Sequence, residues 1–192
     1  WIATNGPLIR SFASDPVSGE GWAHYCEEKM KDMGYDDTPP SRFMMYHDQL
    51  FRAVRVVMDV RISMGKMGFQ QGVEFLIDHV GMDRVAAEAE MRRYVVTPGY
   101  PSCFLYGKEK IKELKKWARE KMKGRFIETW FHTQILQSGA LPIPLLKREL
   151  DWRITEELKR PPPKPEPEKK KAKNGKAAKT AAPPSKTLLP KK

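Results

Sequence analysis

The chain has 192 residues and a formal net charge of +11, from 35 Lys and Arg against 24 Asp and Glu, and is long enough for one domain with its own core. The excess sits at one end: residues 160–192 hold 11 basic and 2 acidic side chains, while the first 159 hold 24 and 22, which argues against a basic nucleic-acid-binding domain and leaves a near-neutral domain with a cationic tail. No run of about 18 apolar residues is present to span a bilayer, no signal peptide is visible in a chain that begins at Trp1, and two cysteines, Cys26 and Cys103, make neither a disulfide scaffold nor a four-thiolate zinc site and favour a reducing, cytoplasmic setting.

In chain order, Asp15-Pro16 is a cap followed by a first-turn proline and predicts a helix to about Met33. Trp22, Cys26, Met30 and Met33 recur at helical spacing and are expected to face a core. After Gly34, Pro39 and Pro40, Ser41 can cap a second helix to about Met64, with an apolar stripe of Phe43, Tyr46, Leu50, Val54 and Val57. Gly65 and Gly68 break it. Phe69 to Val80 forms a short amphipathic helix through Phe69, Val73, Leu76 and Val80, and Asp83 caps another to about Tyr94.

The loop Thr97-Pro98-Gly99-Tyr100-Pro101 leads into a helix from about Ser102 to Lys123, with Phe104, Ile111, Leu114 and Ala118 inward and a basic outer face. Phe126 to Gln137 is a further helix closed by Gly139, and Leu146, Leu150, Ile154 and Leu158 mark the last one. No period-2 alternation is long enough for a sheet, so the expected fold is all-α, a multi-helix domain over residues 1–159. Residues 160–192 contain eight of the sixteen prolines and almost no large apolar side chain. Such a segment buries too little surface to offset its ordering entropy and is expected to be disordered. It is either a solubilising tail or a tether for an anionic partner such as nucleic acid or an acidic surface.

Two constellations could carry chemistry. Glu20, His24 and Glu27 step by four and three and share one helix face. A carboxylate and an imidazole one turn apart can reach one metal ion; the same face could equally be a solvated polar surface. Asp48, Arg52, Arg55 and Asp59 step by 4, 3 and 4 and form an ionic stripe. On a surface such pairs are worth only about 0.2–0.5 kcal/mol each; lining a cleft, the arginines could hold a carboxylate bidentately. Apolar Val56, Met58 and Val60 on the rest of this helix leave a buried ionic network open as well. His132 is either a packing histidine or a site residue, whereas His47 and His79 are expected at the surface. The methionines at 44, 45, 64 and 67 are read as packing residues.

The stretch Gly19-Glu20-Gly21-Trp22-Ala23-His24-Tyr25-Cys26-Glu27 resembles the signature of a prokaryotic family, domain of unknown function 885. Three later stretches agree in order: Asp48 to Arg55 with Asp59 after it; Arg93-Tyr94 followed by Pro98-Gly99 and Gly107-Lys108; and Phe131-His132 followed by Ser138-Gly139-Ala140-Leu141-Pro142-Ile143-Pro144. The resemblance covers roughly residues 8–150. It implies an all-helical zinc peptidase of the gluzincin kind, similar to carboxypeptidase Taq and angiotensin-converting enzyme. In it Glu20 would be the third zinc ligand, and a zinc-bound water would hydrolyse a peptide substrate. His24, Tyr25, Glu27, Arg52, Arg55, Asp59 and Tyr106 would surround the site, with Arg93 and His132 as further candidates for catalytic groups.

The family's other two zinc ligands and its general base come from a His-Glu-x-x-Pro-Gly-His helix that precedes the glutamate motif. The histidines here, His24, His47, His79 and His132, form no such pattern. The chain is therefore expected to be the C-terminal part of a longer protein, inactive and a weak zinc binder by itself. Phe104 stands where the family usually has a tyrosine that polarises the scissile carbonyl, and Ser63 where many members have a histidine. The competing expectation is a catalytically inactive helical module that binds anionic partners through its tail.

Overall fold

A computed structural model describes residues 10, 12 and 14–161, and these are all-helical. Seven α-helices follow in order: α1 Pro16–Asp32, α2 Pro39–Ser63, α3 Phe69–Val80, α4 Arg84–Val96, α5 Cys103–Met122, α6 Glu128–Ser138 and α7 Ile143–Lys159. The expected disordered tail lies almost wholly outside the described residues. No described helix is long and apolar enough to cross a membrane.

The local signals act where they were read. Asp15 accepts a hydrogen bond from the Ser18 amide and Pro16 opens α1, while Asp83 accepts from the Ala86 amide. The second helix starts earlier than expected: Thr38, not Ser41, is its cap, and its hydroxyl accepts from the Ser41 amide. Both side chains can cap, but Thr38 precedes the two prolines, which are best placed in a first turn whose amides have no partner.

Two apolar cores form. One gathers Val54 and Met58 of α2, Val73, Leu76 and Val80 of α3, and Ala87, Met91 and Tyr94 of α4. The other gathers Leu114, Ala118 and Met122 of α5, Phe131 and Ile135 of α6, and Leu146, Leu150 and Ile154 of α7, with Trp22 of α1 packed on it. Helix α1 lies along α5 and also meets α2.

Two expected stripes face a core only in part, through Trp22 in α1 and Val54 in α2. In α1 the buried residues are Ser18, Gly21, His24 and Tyr25, and Met30 and Met33 are exposed. In α2 only the C-terminal half is covered, through Val54, Arg55, Met58 and Asp59. Phe43 and Tyr46 are 68 % and 58 % exposed, and Leu50 and Val57 are exposed too. The reason in α1 is a backbone contact on the other face, described next.

Candidate functional site

Helices α1 and α5 cross through Gly21 and Gly107. A Cβ on Gly21 would stand 2.5 Å from the Gly107 Cα, and one on Gly107 would stand 2.7 Å from the Gly21 Cα. No side chain fits at the crossing, so the two backbones touch. The flanking Gly19 meets open space instead. This contact turns the Gly21 side of α1 inward and sets Glu20 beside the segment that leads into α5.

The Glu20 carboxylate accepts a hydrogen bond from the hydroxyl of Tyr100, eighty residues away. That bond, first among its causes, raises the Tyr100 pKa above the ordinary tyrosine value, so the group stays a neutral donor. One turn on, His24 is 2 % exposed. Its Nδ1 lies 3.1 Å from Glu27, and its Nε2 is buried with no hydrogen-bond partner. Glu27 also receives Arg52 at 2.8 Å. Burial would raise the Glu27 pKa, but the bonds from His24 and Arg52 outweigh it and hold the carboxyl below the usual glutamate range.

The ionic stripe of α2 does not pair with itself. Asp48 has His47 nearest, at 3.9 Å, and Arg52 pairs across to α1. Asp59 is buried and accepts from the Gly99 amide at 2.9 Å and the Ser102 hydroxyl at 2.5 Å. Its i,i+4 neighbour Arg55 is buried against aromatic rings instead. An i,i+4 spacing permits a pair, but Arg52, Arg55 and Asp59 each meet partners from another element instead. Asp59 thereby holds the loop 97–102 that carries Tyr100, and the Tyr100 ring meets Phe104 edge-on at 5.8 Å.

Tyr25 and His132 belong to a different cluster. Tyr25 follows Glu20 by five residues, about 140° round the helix, and its hydroxyl lies 2.8 Å from His132 Nε2 and accepts from Lys115 at 2.9 Å. Burial, first among the causes, lowers the His132 pKa below the ordinary histidine value. Glu128 closes the cluster with Lys115 and Lys29. Arg93 is exposed and paired with Glu90 on its own helix, and Tyr106 is exposed beside Lys110. Arg93, His132 and Tyr106 are thus not gathered with Glu20, whereas Arg52, Arg55 and Asp59 are. Sequence reading missed Tyr100 and the buried pair Lys108–Glu28 at 2.6 Å. The signal for Tyr100 was a phenol between Gly99 and Pro101 in a loop that α2 anchors.

Zinc fits these residues in part. Glu20 and His24 offer a carboxylate and an unpartnered imidazole nitrogen on one helix face, but no group of three or more His, Cys, Asp or Glu side chains converges among the described residues. A catalytic zinc needs three protein ligands.

The family described as a bacterial protein of unknown function, DUF885, matches residues 2–150. No curated protein matches. Among solved structures, that of the "putative lipoprotein from Colwellia psychrerythraea" superposes with a TM-score of 0.74 at 27% identity, over 80% of this chain and 26% of that one. The chain thus spans about a quarter of that protein's length. Over residues that include all four ordered motifs and the Glu20 site, the chain belongs to the DUF885 family.

Proposed function

We propose that this chain is the part of a zinc-dependent peptidase that carries one metal ligand, Glu20, and a wall of the substrate cleft. The observation that carries this reading is the Glu20 carboxylate, oriented by the Tyr100 hydroxyl and one turn from a buried imidazole whose Nε2 has no partner. The remaining ligands would come from outside the residues described, consistent with a relative about three times as long. Bound zinc would supply the Lewis acidity that activates a water toward a peptide carbonyl.

This chain's own groups do the rest. Tyr100 holds one oxygen of Glu20, which fixes the orientation of the other. Asp59 anchors the loop that presents Tyr100. Glu27, tied to Arg52, sets the tilt of the His24 ring. Phe104 brings a ring but no hydroxyl, so it cannot itself serve as an oxyanion donor.

The test uses the protein with its complete family domain. Zinc content after dialysis and hydrolysis of an unstructured peptide are measured for the wild type and for Glu20→Ala. The expected result is stoichiometric zinc and turnover, both lost in the variant. A wild type that retains no zinc and cleaves no peptide overturns the reading.

A further inference from the structure

Helices α6 and α7 enclose a cavity of about 290 Å³ that shares no lining residue with the Glu20 site. Helix α6 contributes Trp130, Gln134 and Gln137, at steps of 4 and 3 along one face, and α7 contributes Trp152 and Arg153. Further along α7, Glu156, Glu157 and Arg160 complete the wall. Trp130 packs in part on the second core, whereas Trp152 is 61 % exposed, although tryptophan is on average highly buried.

The polar groups are set in advance. Arg153 Nη1 donates to Gln134 Oε1 at 2.7 Å and to Gln137 Oε1 at 3.1 Å, while its Nε holds Glu149 at 2.9 Å. A guanidinium has no acceptor, so both amides must turn their oxygens to it. Each Nε2 then keeps its N–H donors, which meet no acceptor among the described residues. The charges of the wall are already compensated. Arg153 pairs with Glu149 at 2.8 Å, Glu157 with Arg160 at 3.2 Å and Glu156 with Lys159 at 2.6 Å.

A ligand matched to this cavity is neutral, because an ion would lose water there without gaining an unpaired opposite charge. It offers an apolar face to an indole, and around its edge groups that accept from amides and donate to carboxylates. A pyranose ring has this form: its C–H groups make apolar faces and its hydroxyls each donate and accept. A nucleobase also stacks, but as a nucleotide it brings phosphate charge that the paired wall does not match. We propose that the α6–α7 cavity is a carbohydrate site that takes one neutral pyranose residue of a glycan, stacked on Trp152 and hydrogen-bonded by the amides of Gln134 and Gln137. Ligand cavities run from about 300 to 1,000 Å³, so a site at the small end holds one ring and leaves the next sugar outside. The site is independent of Glu20 and of any metal.

The experiment is saturation-transfer NMR on the protein with its complete family domain. The probes are cellobiose, lactose, mannobiose and chitobiose, with adenosine and choline as the flat-base and cationic alternatives. At least one disaccharide is expected to receive saturation at its ring C–H protons. Trp152→Ala, at an exposed position, is expected to move the melting temperature by no more than about 2 °C. It should weaken the sugar at least about tenfold, the scale of one large apolar contact. Gln134→Glu keeps an oxygen for Arg153 and removes the N–H donors. It is expected to melt at or above the wild-type temperature and to lose the sugar as well, a response that mere adhesion to an exposed indole would not give. Absence of transfer to all four disaccharides overturns the proposal. So does binding unchanged in Trp152→Ala, which would place the sugar elsewhere, and binding that survives Gln134→Glu, which would reduce the site to stacking. Trp152-dependent binding of adenosine or choline in preference to every sugar also overturns it.

Discussion

Lys108 is 1 % exposed, and its ammonium is tolerated inside the domain because Glu28 sits 2.6 Å away. Glu28 also takes Lys112 at 2.8 Å. Burial would raise the Glu28 pKa, yet the bonds from these two lysines outweigh it and keep the carboxyl ionised below the ordinary range. Removing one partner of a buried pair leaves a charge without compensation, at about 3–5 kcal/mol. Glu28 is partly open to water, so Glu28→Ala is expected at the lower end of that range, read as a fall in urea midpoint. Lys108→Met, of similar length and apolar, is expected to cost much less.

Glu128 makes the same point through pH. Burial favours its neutral form, but hydrogen bonds from Lys115 and Lys29 win and draw its pKa from 4.5 to about 2. A carboxyl whose folded pKa is depressed adds stability above its unfolded pKa and loses it as pH falls toward the folded one. The difference in melting temperature between wild type and Glu128→Gln is therefore expected to be full near neutral pH. It should shrink below about pH 4.5 and vanish near about pH 2. A difference independent of pH would mean that the lysines do not bond the ionised form. Asp59 is the third such position. Asp59→Ala strands the Gly99 amide and the Ser102 hydroxyl, at about 1–3 kcal/mol for each group left buried. It should also free the loop 97–102, visible as faster hydrogen exchange of the Gly99 amide.

At the scale of elements, the Gly21–Gly107 crossing governs the site. Gly21→Ala or Gly107→Ala places a methyl against backbone that has no rotamer to yield. Overpacking costs typically about 1–3 kcal/mol, and for a domain of this size each kcal/mol lowers the melting temperature by about 2–4 °C. Gly19→Ala is the control, with open space at its Cβ; the gain in helix propensity should leave it neutral or slightly stabilising.

This crossing also explains what could be read from the sequence. Caps at Asp15 and Asp83 were legible because the interaction is local, between a side chain and an amide three residues on. The stripes Val73–Leu76–Val80 and Leu146–Leu150–Ile154 were legible because both helices bury their most apolar face. Helix α1 was misread because it buries the side bearing Ser18, Gly21, His24 and Tyr25, where close approach and hydrogen bonds outweigh hydropathy. The face bearing Glu20, His24 and Glu27 was legible from spacing. Its partners Arg52 and Tyr100 were not, because contacts 25 and 80 residues apart leave no periodic trace. The proposed self-pairing of α2 failed for the same reason: spacing says which groups can meet, and tertiary packing says which do.

At the scale of the whole molecule, α2, α3 and α4 build one core and α5, α6 and α7 the other, and Glu20, Arg52, Arg55 and Tyr100 come from α1, α2 and the loop before α5. The residues described offer Glu20 and His24 to a metal on one helix and no third ligand beside them. Zinc titrated calorimetrically into this chain is expected to bind no tighter than micromolar, because a tightly held zinc needs at least three protein ligands. Sub-micromolar binding at one site, with turnover, would show that the ligand set is complete within the chain.

Because α1 and α5 meet backbone to backbone, no interlayer of side chains exists at that point to swell, slide or repack. The spacing of the two helices is set by the van der Waals radii of the backbone atoms, so neighbouring substitutions have little to act on there. Residues away from the crossing can then change while the platform that carries Glu20 stays put. An engineer could vary Tyr100, Phe104, Arg52 and Arg55 with the Gly21–Gly107 spacing unchanged. The two glycines are the positions to leave alone.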